Sequence, residues 1–310
     1  MIELVNLSKR YKNVSAIKNM NMYIERGEIV GLLGPNGAGK STAISMLSTL
    51  IEPTEGDVLF EKNSVLQHPE PLRKVTGVVP QEIALYDSLT AEENLYFFGR
   101  IYGLSRQILK QKIEEVLKII GLSDRRNEVV KTFSGGMKRR LNIGVALLHE
   151  PEILIMDEPT VGIDPQSRNY ILKTVKRLNR ERGMTILYTS HYMEEVEYLC
   201  DRIYIMDQGH VIAVGTKREI KDLLSSERPV QLEVELLNEQ FISALNEEPT
   251  IQEVLVEDQT VTIIVPEKMD IFQLVTRVAD ESNVRLKSVH IKSPTLEDVF
   301  LHLTGRALRD

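Results

Sequence analysis

Nine consecutive residues, Gly34-Pro35-Asn36-Gly37-Ala38-Gly39-Lys40-Ser41-Thr42, combine the side chains and backbone freedom that hold a phosphate group. Such an anion needs many N–H donors at close range. Gly34, Gly37 and Gly39 let the backbone curl so that its amides point inward, a shape that Cβ atoms would obstruct. Lys40 supplies a full positive charge for β- and γ-phosphates, and the Ser41 hydroxyl suits Mg²⁺. A helix starting here adds roughly half a positive charge at its N-terminus.

A pair of acids supplies the second half of that chemistry. In Ile153-Leu154-Ile155-Met156-Asp157-Glu158 an apolar run delivers Asp157 and then Glu158 at its end, the Walker B pattern. Asp157 can hold Mg²⁺ directly or through water, and Glu158 is placed to polarise an attacking water. Three further positions fit a phosphate site by placement. Gln81 follows the run Val75–Val79, at the strand edge where ligands bind in open α/β sheets. His191 ends the run Met184–Ser190, where it either reaches a γ-phosphate or serves the fold. Ser134-Gly135-Gly136 offers a capping serine and uncovered helix-start amides, so it reads either as a second phosphate site or as a capped helix with a basic face. Tyr11, in the loop-like Ser8–Asn13, either stacks on a base or packs.

The elements that must position these residues follow from periodicity. Ile29–Leu33 reads as a buried strand before the glycine loop, and Ala43–Leu47 as the helix after it. Residues 1–26 alternate as antiparallel strands. Glu52–Asp57 reads as a turn before a short strand, Val58–Phe60. From about 84 to 150 helical spacing takes over, with a Thr90/Glu93 capping box and the stripe Ile113, Val116, Leu117, Ile120. Asp164 sits in the loop Val161–Pro165 before another helix, and Asp207–His210 turns a hairpin.

The segment from 216 lacks a phosphate loop or acid pair. It reads as a short helix, a linker (Ser225–Pro229) and the order βαββαβα, with a turn at Asp258-Gln259. The last helix is expected to open with Ser293 as cap and Pro294 at its first position, and to carry the stripe Leu296, Val299, Phe300, Leu303. That order suggests a small ferredoxin-like domain for association or regulation. The expected division is 1–215 and 216–310.

Bulk properties exclude other classes. Net charge is −7 and the isoelectric point about 5.6, which argues against nucleic acid held by bulk electrostatics. The single cysteine, Cys200, forms no intrachain disulfide and suits a reducing compartment. No apolar run approaches the ~20 residues that span a bilayer. A soluble, cytoplasmic protein is expected, with any membrane contact made through a partner.

Taken together, the motifs resemble the nucleotide-binding subunit of an ATP-binding-cassette (ABC) transporter over residues 1 to about 215. The resemblance implies an α/β P-loop NTPase core with an antiparallel β subdomain, a helical subdomain at about 84–150 and a small α+β C-terminal domain. It implies ATP and Mg²⁺ as cofactors. By the same resemblance Tyr11 stacks on adenine, Gly34–Ser41 is the Walker A loop, and Gln81 touches Mg²⁺ and senses a membrane partner. Ser134-Gly135-Gly136 is the signature that meets the γ-phosphate held by the other subunit. Asp157 associates with the metal, Glu158 is the general base, Asp164 lies at a dimer interface, and His191 is the switch histidine. Two departures stand out: Phe133 and Met137 flank the signature, which commonly reads Leu-Ser-Gly-Gly-Gln, and Val161-Gly162-Ile163 precedes Asp164 where many members carry Ser-Ala-Leu. Phe-Ser-Gly-Gly-Met-Lys-Arg-Arg and the C-terminal Ser-Pro-Thr-Leu-Glu-Asp-Val-Phe resemble ATPases of ABC-2-type exporters, including daunorubicin-resistance and sodium-efflux subunits. The implied partners are a second ATPase subunit, as a homodimer or pair, and a separate transmembrane permease at the inner face of the cell membrane. No nucleic acid is implied. The alternative is a soluble ABC ATPase acting on ribosomes or DNA; such proteins usually carry two cassettes or long coiled-coil insertions.

Overall fold

Strands β1 (Ile2–Tyr11) and β2 (Val14–Ile24) form an antiparallel hairpin, and β3 (Ile29–Leu33) leads into the glycine loop and helix α1 (Lys40–Leu47). The computed structural model describes residues 1–12, 14–223, 227–257, 259–266, 269–291 and 295–304. Next come β4 (Glu55–Phe60), β5 (Asn63–Ser64), α2 (Glu70–Val75) and β6 (Thr76–Val79). Three helices follow: α3 (Ala91–Ile101), α4 (Arg106–Ile119) and α5 (Gly135–Leu147). The chain then alternates through β7 (Ile153–Met156), α6 (Pro165–Arg182), β8 (Thr185–Ser190), α7 (Met193–Leu199) and the hairpin β9 (Arg202–Asp207), β10 (His210–Thr216).

The central sheet has the order β10-β9-β3-β8-β7-β6, parallel from β9 to β6. All residues of β3 and β7 are buried, as expected for strands covered on both faces. The second sheet, β2-β1-β4-β5, is antiparallel. Its inward residues Ile2, Leu4, Met20, Met22 and Val58 share one core with α1 and with Leu32, Ile155 and Leu187 of the central sheet. Burying such side chains stabilises by roughly 1.5–3 kcal/mol each. Among the helices, Thr90 caps α3 in the expected reciprocal box with Glu93 (3.1 and 2.8 Å), and Leu109, Ile113, Val116 and Leu117 form the buried stripe of α4.

Compactness divides the chain after Lys217. The second unit holds β11 (Glu227–Val234), α9 (Glu239–Glu247), β12 (Glu253–Glu257), β13 (Thr260–Pro266), α10 (Ile271–Glu281), β14 (Leu286–Ile291) and α11 (Leu296–Thr304), after α8 (Lys217–Asp222) at the junction. Its antiparallel sheet, β12-β13-β11-β14, has the strand order of a ferredoxin-like unit. Its core gathers Val230, Leu232, Phe241, Ile263, Val275 and Val278.

Several local expectations are corrected. Ser8–Tyr11 is strand, not loop, because Lys9, Arg10 and Tyr11 pair with Ile17, Ser15 and Val14. Glu55–Asp57 belongs to β4, because Ser8 and Val5 pair with Glu55 and Asp57. Val75 ends a helix, with β6 starting at Thr76. Glu227–Pro229 pairs with Ile264–Pro266 and is strand where a linker was expected. Thr295 caps the last helix through a reciprocal pair with Asp298 (3.1 and 2.8 Å). The expected cap Ser293 and Pro294, the linker residues Ser225 and Ser226, and Asp258 lie outside the described residues.

Candidate active site

Four parallel strands end on one edge, and each hands a candidate residue to the same place. Gly34 follows β3, His191 follows β8, Asp157 and Glu158 follow β7, and Pro80-Gln81 follows β6. A cavity of about 450 Å³ opens there, lined in part by Asn36, Lys40, Ser41, Thr42, Gln81 and Glu158.

Helix α1 starts at Lys40 with no side chain capping it, so its first amides stay available to an anion. Gly39 holds φ at 109°, and a Cβ there would stand 2.6 Å from the Ala16 carbonyl oxygen, so only glycine fits. The hairpin turn Gln208-Gly209 buttresses the loop: the Gly209 amide donates to the Ala38 carbonyl at 3.0 Å. Lys40 is 4% exposed, and Nζ donates to the carbonyls of Gly34 (2.7 Å) and Pro35 (3.1 Å). The same nitrogen pairs with Glu158 Oε1 at 2.9 Å. His191 Nδ1 stands 3.3 Å from the other oxygen, Glu158 Oε2.

The two acids are fixed from the neighbouring strand. Thr189 Oγ1 donates to Asp157 Oδ1 (2.9 Å) and accepts the Glu158 amide (2.9 Å). Glu158 holds φ at 43°, a left-handed conformation that costs a non-glycine residue strain and is often found at functional sites. The arrangement can therefore bind a polyphosphate through amides and Lys40, and it holds a carboxylate able to accept a proton beside it.

A second cluster lies apart from the cavity lining. Ser134 caps α5, its Oγ accepting the Met137 amide at 3.3 Å, and Asp164 caps α6, its Oδ1 accepting the Ser167 amide at 2.8 Å. Hydrogen bonds from the Ser167 side chain and backbone hold the Asp164 carboxyl below its ordinary value. A Cβ on Gly136 would stand 2.4 Å from Ser167 Cβ and 3.1 Å from Asp164 Oδ2, so the two helix starts touch. Ser134 and Gly135 are exposed, and a Cβ on Gly135 would meet only the Gly162 carbonyl oxygen, at 3.9 Å. Tyr11 ends β1 half-exposed, with Lys9 Nζ 5.4 Å from its ring centroid, and it does not line the cavity.

Sequence reasoning missed three positions here. Arg139, 5% exposed on α5, donates to the carbonyls of Pro80 (2.8 Å) and Gln81 (2.6 Å), tying the segment that carries Gln81 to the helix that carries Ser134. Thr189 holds the acids, and Glu195 is buried behind His191. Arg139 read as part of a basic face; a polar residue on the inward side of a helix was the available signal.

A glycine loop before a helix, facing an Asp–Glu pair across a parallel sheet, defines a P-loop nucleotide-hydrolysing protein. Residues 17–161 match the family described as ABC transporter. The linearmycin resistance ATP-binding protein LnrL of Bacillus subtilis (strain 168) is 47% identical over 312 residues, covering 100% of both chains. The daunorubicin resistance ATP-binding protein DrrA3 of Streptomyces coeruleorubidus is 35% identical, covering 96% of this chain and 93% of its own. Among solved structures, a dimeric post-hydrolysis state of an ATP-binding cassette bound to ADP and Pi superposes with a TM-score of 0.64 at 30% identity, over 70% of this chain and 98% of that one. The chain belongs to the ABC transporter family as an ATP-binding, ATP-hydrolysing subunit. Among the described residues no helix is long and apolar enough to cross a membrane.

Proposed function

We propose that two copies of this chain close around two ATP molecules and drive a separate transmembrane permease as an exporter, from the inner face of the membrane. The observation that carries this reading is the division of phosphate-facing groups into two clusters. Walker loop, Gln81 and Glu158 share a cavity, while Ser134-Gly135-Gly136 and Asp164 present two helix starts outside its lining. A second subunit's γ-phosphate fits that exposed pair. The names of the resistance relatives support export, and the net charge of −7 gives no support to ribosomes or DNA.

Each residue then has a role. Amides of residues 34–42 and Lys40 bind the phosphates, with Tyr11 beside the adenine. Glu158 accepts a proton from water attacking the γ-phosphate, and His191 holds Glu158 and the γ-phosphate in line. Asp164 meets the partner subunit. Among the described residues no group of three His, Cys, Asp or Glu could hold a metal. A hydroxyl, a carboxylate and an amide, from Ser41, Asp157 and Gln81, suit Mg²⁺, which takes few protein ligands and completes its shell with phosphates and water. When bound, that ion would neutralise charge on the phosphates. Departure of the γ-phosphate removes the link between subunits, and the dimer reopens.

The test is ATP hydrolysis per mole of protein across a dilution series. Specific activity that falls on dilution supports a dimeric catalytic unit; activity constant over the whole range, with a monomer in analytical ultracentrifugation, rejects it. Co-purification with the membrane protein encoded beside it tests the permease.

A further inference from the structure

Behind His191 lies a buried carboxylate that this mechanism does not use. Glu195, in the first turn of α7, is 2% exposed. Its Oε2 accepts hydrogen bonds from Thr160 Oγ1 (2.7 Å), the Tyr188 hydroxyl (2.9 Å) and Ser190 Oγ (3.0 Å). Its Oε1 faces Arg168 Nε at 3.4 Å. Burying a carboxylate costs several kcal/mol before its partners offset it, and hydrocarbon of the same volume would fill the space without that cost.

The donors stand at informative places. Thr160 comes two residues after Glu158, and Ser190 immediately precedes His191. Ser190 Oγ also accepts the amide of Tyr192, the residue immediately after His191, at 2.9 Å. The Tyr192 ring lies 4.2 Å from the His191 ring and 4.6 Å from the Arg168 guanidinium. Both sides of the 3.3 Å contact between His191 and Glu158 are therefore tied to one carboxylate oxygen.

We propose that Glu195 is a positioning residue for ATP hydrolysis, setting the separation of His191 and Glu158 through Ser190 and Thr160. The inference rests on the reading of Glu158 as base. Three hydroxyl donors from two segments, Tyr188 and Ser190 on β8 and Thr160 in the loop after β7, over-determine the place of one oxygen, so the two segments are held in fixed relation. Tyr188 anchors the same oxygen to the middle of the central sheet.

Phosphate release and nucleotide titration with the full chain test this. Glu195→Gln keeps the volume but replaces one acceptor oxygen by an NH₂ donor, which must face either the three hydroxyls or the Arg168 guanidinium. Its kcat should fall by ~10- to 100-fold, the scale of a sub-ångström to ångström misplacement, with KM and nucleotide affinity changed less than about twofold. In a His191→Ala background the same substitution should cost far less, because its effect passes through His191. Thr160→Val removes one donor at constant shape and should also lower kcat, while Thr160→Ser should restore it. Should Glu195→Gln fail to fold, the Thr160 pair decides. Equal losses in both backgrounds, an unchanged kcat for Thr160→Val, or a loss matched by falling melting temperature and ATP affinity would overturn the proposal. Normal turnover by Glu158→Gln would sink the base assignment itself, and the inference with it; a dead Glu158→Gln beside additive Glu195→Gln would sink the inference alone.

Discussion

The two clusters proposed to face phosphate differ in how finished they are. At the Walker loop Lys40 and Glu158 already have partners: Lys40 holds two carbonyls and Glu158, and Glu158 faces His191. Around Ser134 the backbone is ordered by caps, yet Ser134 and Gly135 remain exposed. The first cluster is paired within itself before nucleotide arrives. The second is preformed but complementary to nothing within its own surface. The contrast teaches that nucleotide binding and subunit closure should be separable by substitution, because on the proposed reading each depends on a different cluster.

The largest expected effect tests the finished cluster. Glu158→Gln should keep ATP binding while turnover falls by ~10²–10⁴-fold, as for loss of a general base. Phosphate release and size exclusion with ATP check it, the expected result being a trapped dimer; near-wild-type turnover would break the distinction. Gly135→Asp probes the open cluster. Its Cβ has room, so the fold should stand, but a carboxylate would face an incoming phosphate. Affinity should stay near wild type while ATP-dependent dimers, read by crosslinking, disappear.

Lys40→Ala should affect stability as well as binding. Nucleotide affinity should fall, and Glu158 would be left buried beside His191 alone. Breaking a buried ion pair costs about 3–5 kcal/mol, so the nucleotide-free protein should melt earlier. Gly135→Asp should show no such loss, which sharpens the contrast between the clusters; equal melting temperatures for Lys40→Ala and wild type would erase it. The smallest effect concerns Asp164. Its carboxyl titrates below the ordinary range because Ser167 hydrogen-bonds the charged form. Its stabilising contribution is therefore present above the unfolded-state value of ~3.9 and is lost as pH falls through the lower folded value. The melting-temperature gap between wild type and Asp164→Ala should close in acid; a gap that widens would contradict the sign.

Sequence and structure agree where the chemistry is local. Residues 34–42 follow β3 and run into α1, and Asp157-Glu158 directly follows β7, so local pattern alone placed both. The capping box at Thr90 is equally local. Disagreement arises where a distant segment decides. Ser8–Tyr11 looks polar and loop-like, but β2 supplies its hydrogen bonds. Gly136 looked like a phosphate-facing glycine; its closest need is room for Ser167 on another helix. Arg139 and Glu195 gain meaning from partners 58 or 59 and 35 residues away, respectively, which no periodicity encodes.

The pairing of Lys40 with Glu158 has a consequence for how ATP binding responds to ionic strength. A bare surface lysine draws a phosphate out of a cloud of dissolved counter-ions, and added salt competes with it. Lys40 instead carries its counter-ion within the protein, as a carboxylate 2.9 Å away and shielded from water. On the proposed role of Lys40, nucleotide entry would be an ion exchange, with one anion displaced by another at the same ammonium group. The salt that weakens encounter between free charges has little to displace at that site. ATP affinity should therefore fall less with added KCl than it would for a phosphate site built from exposed lysines.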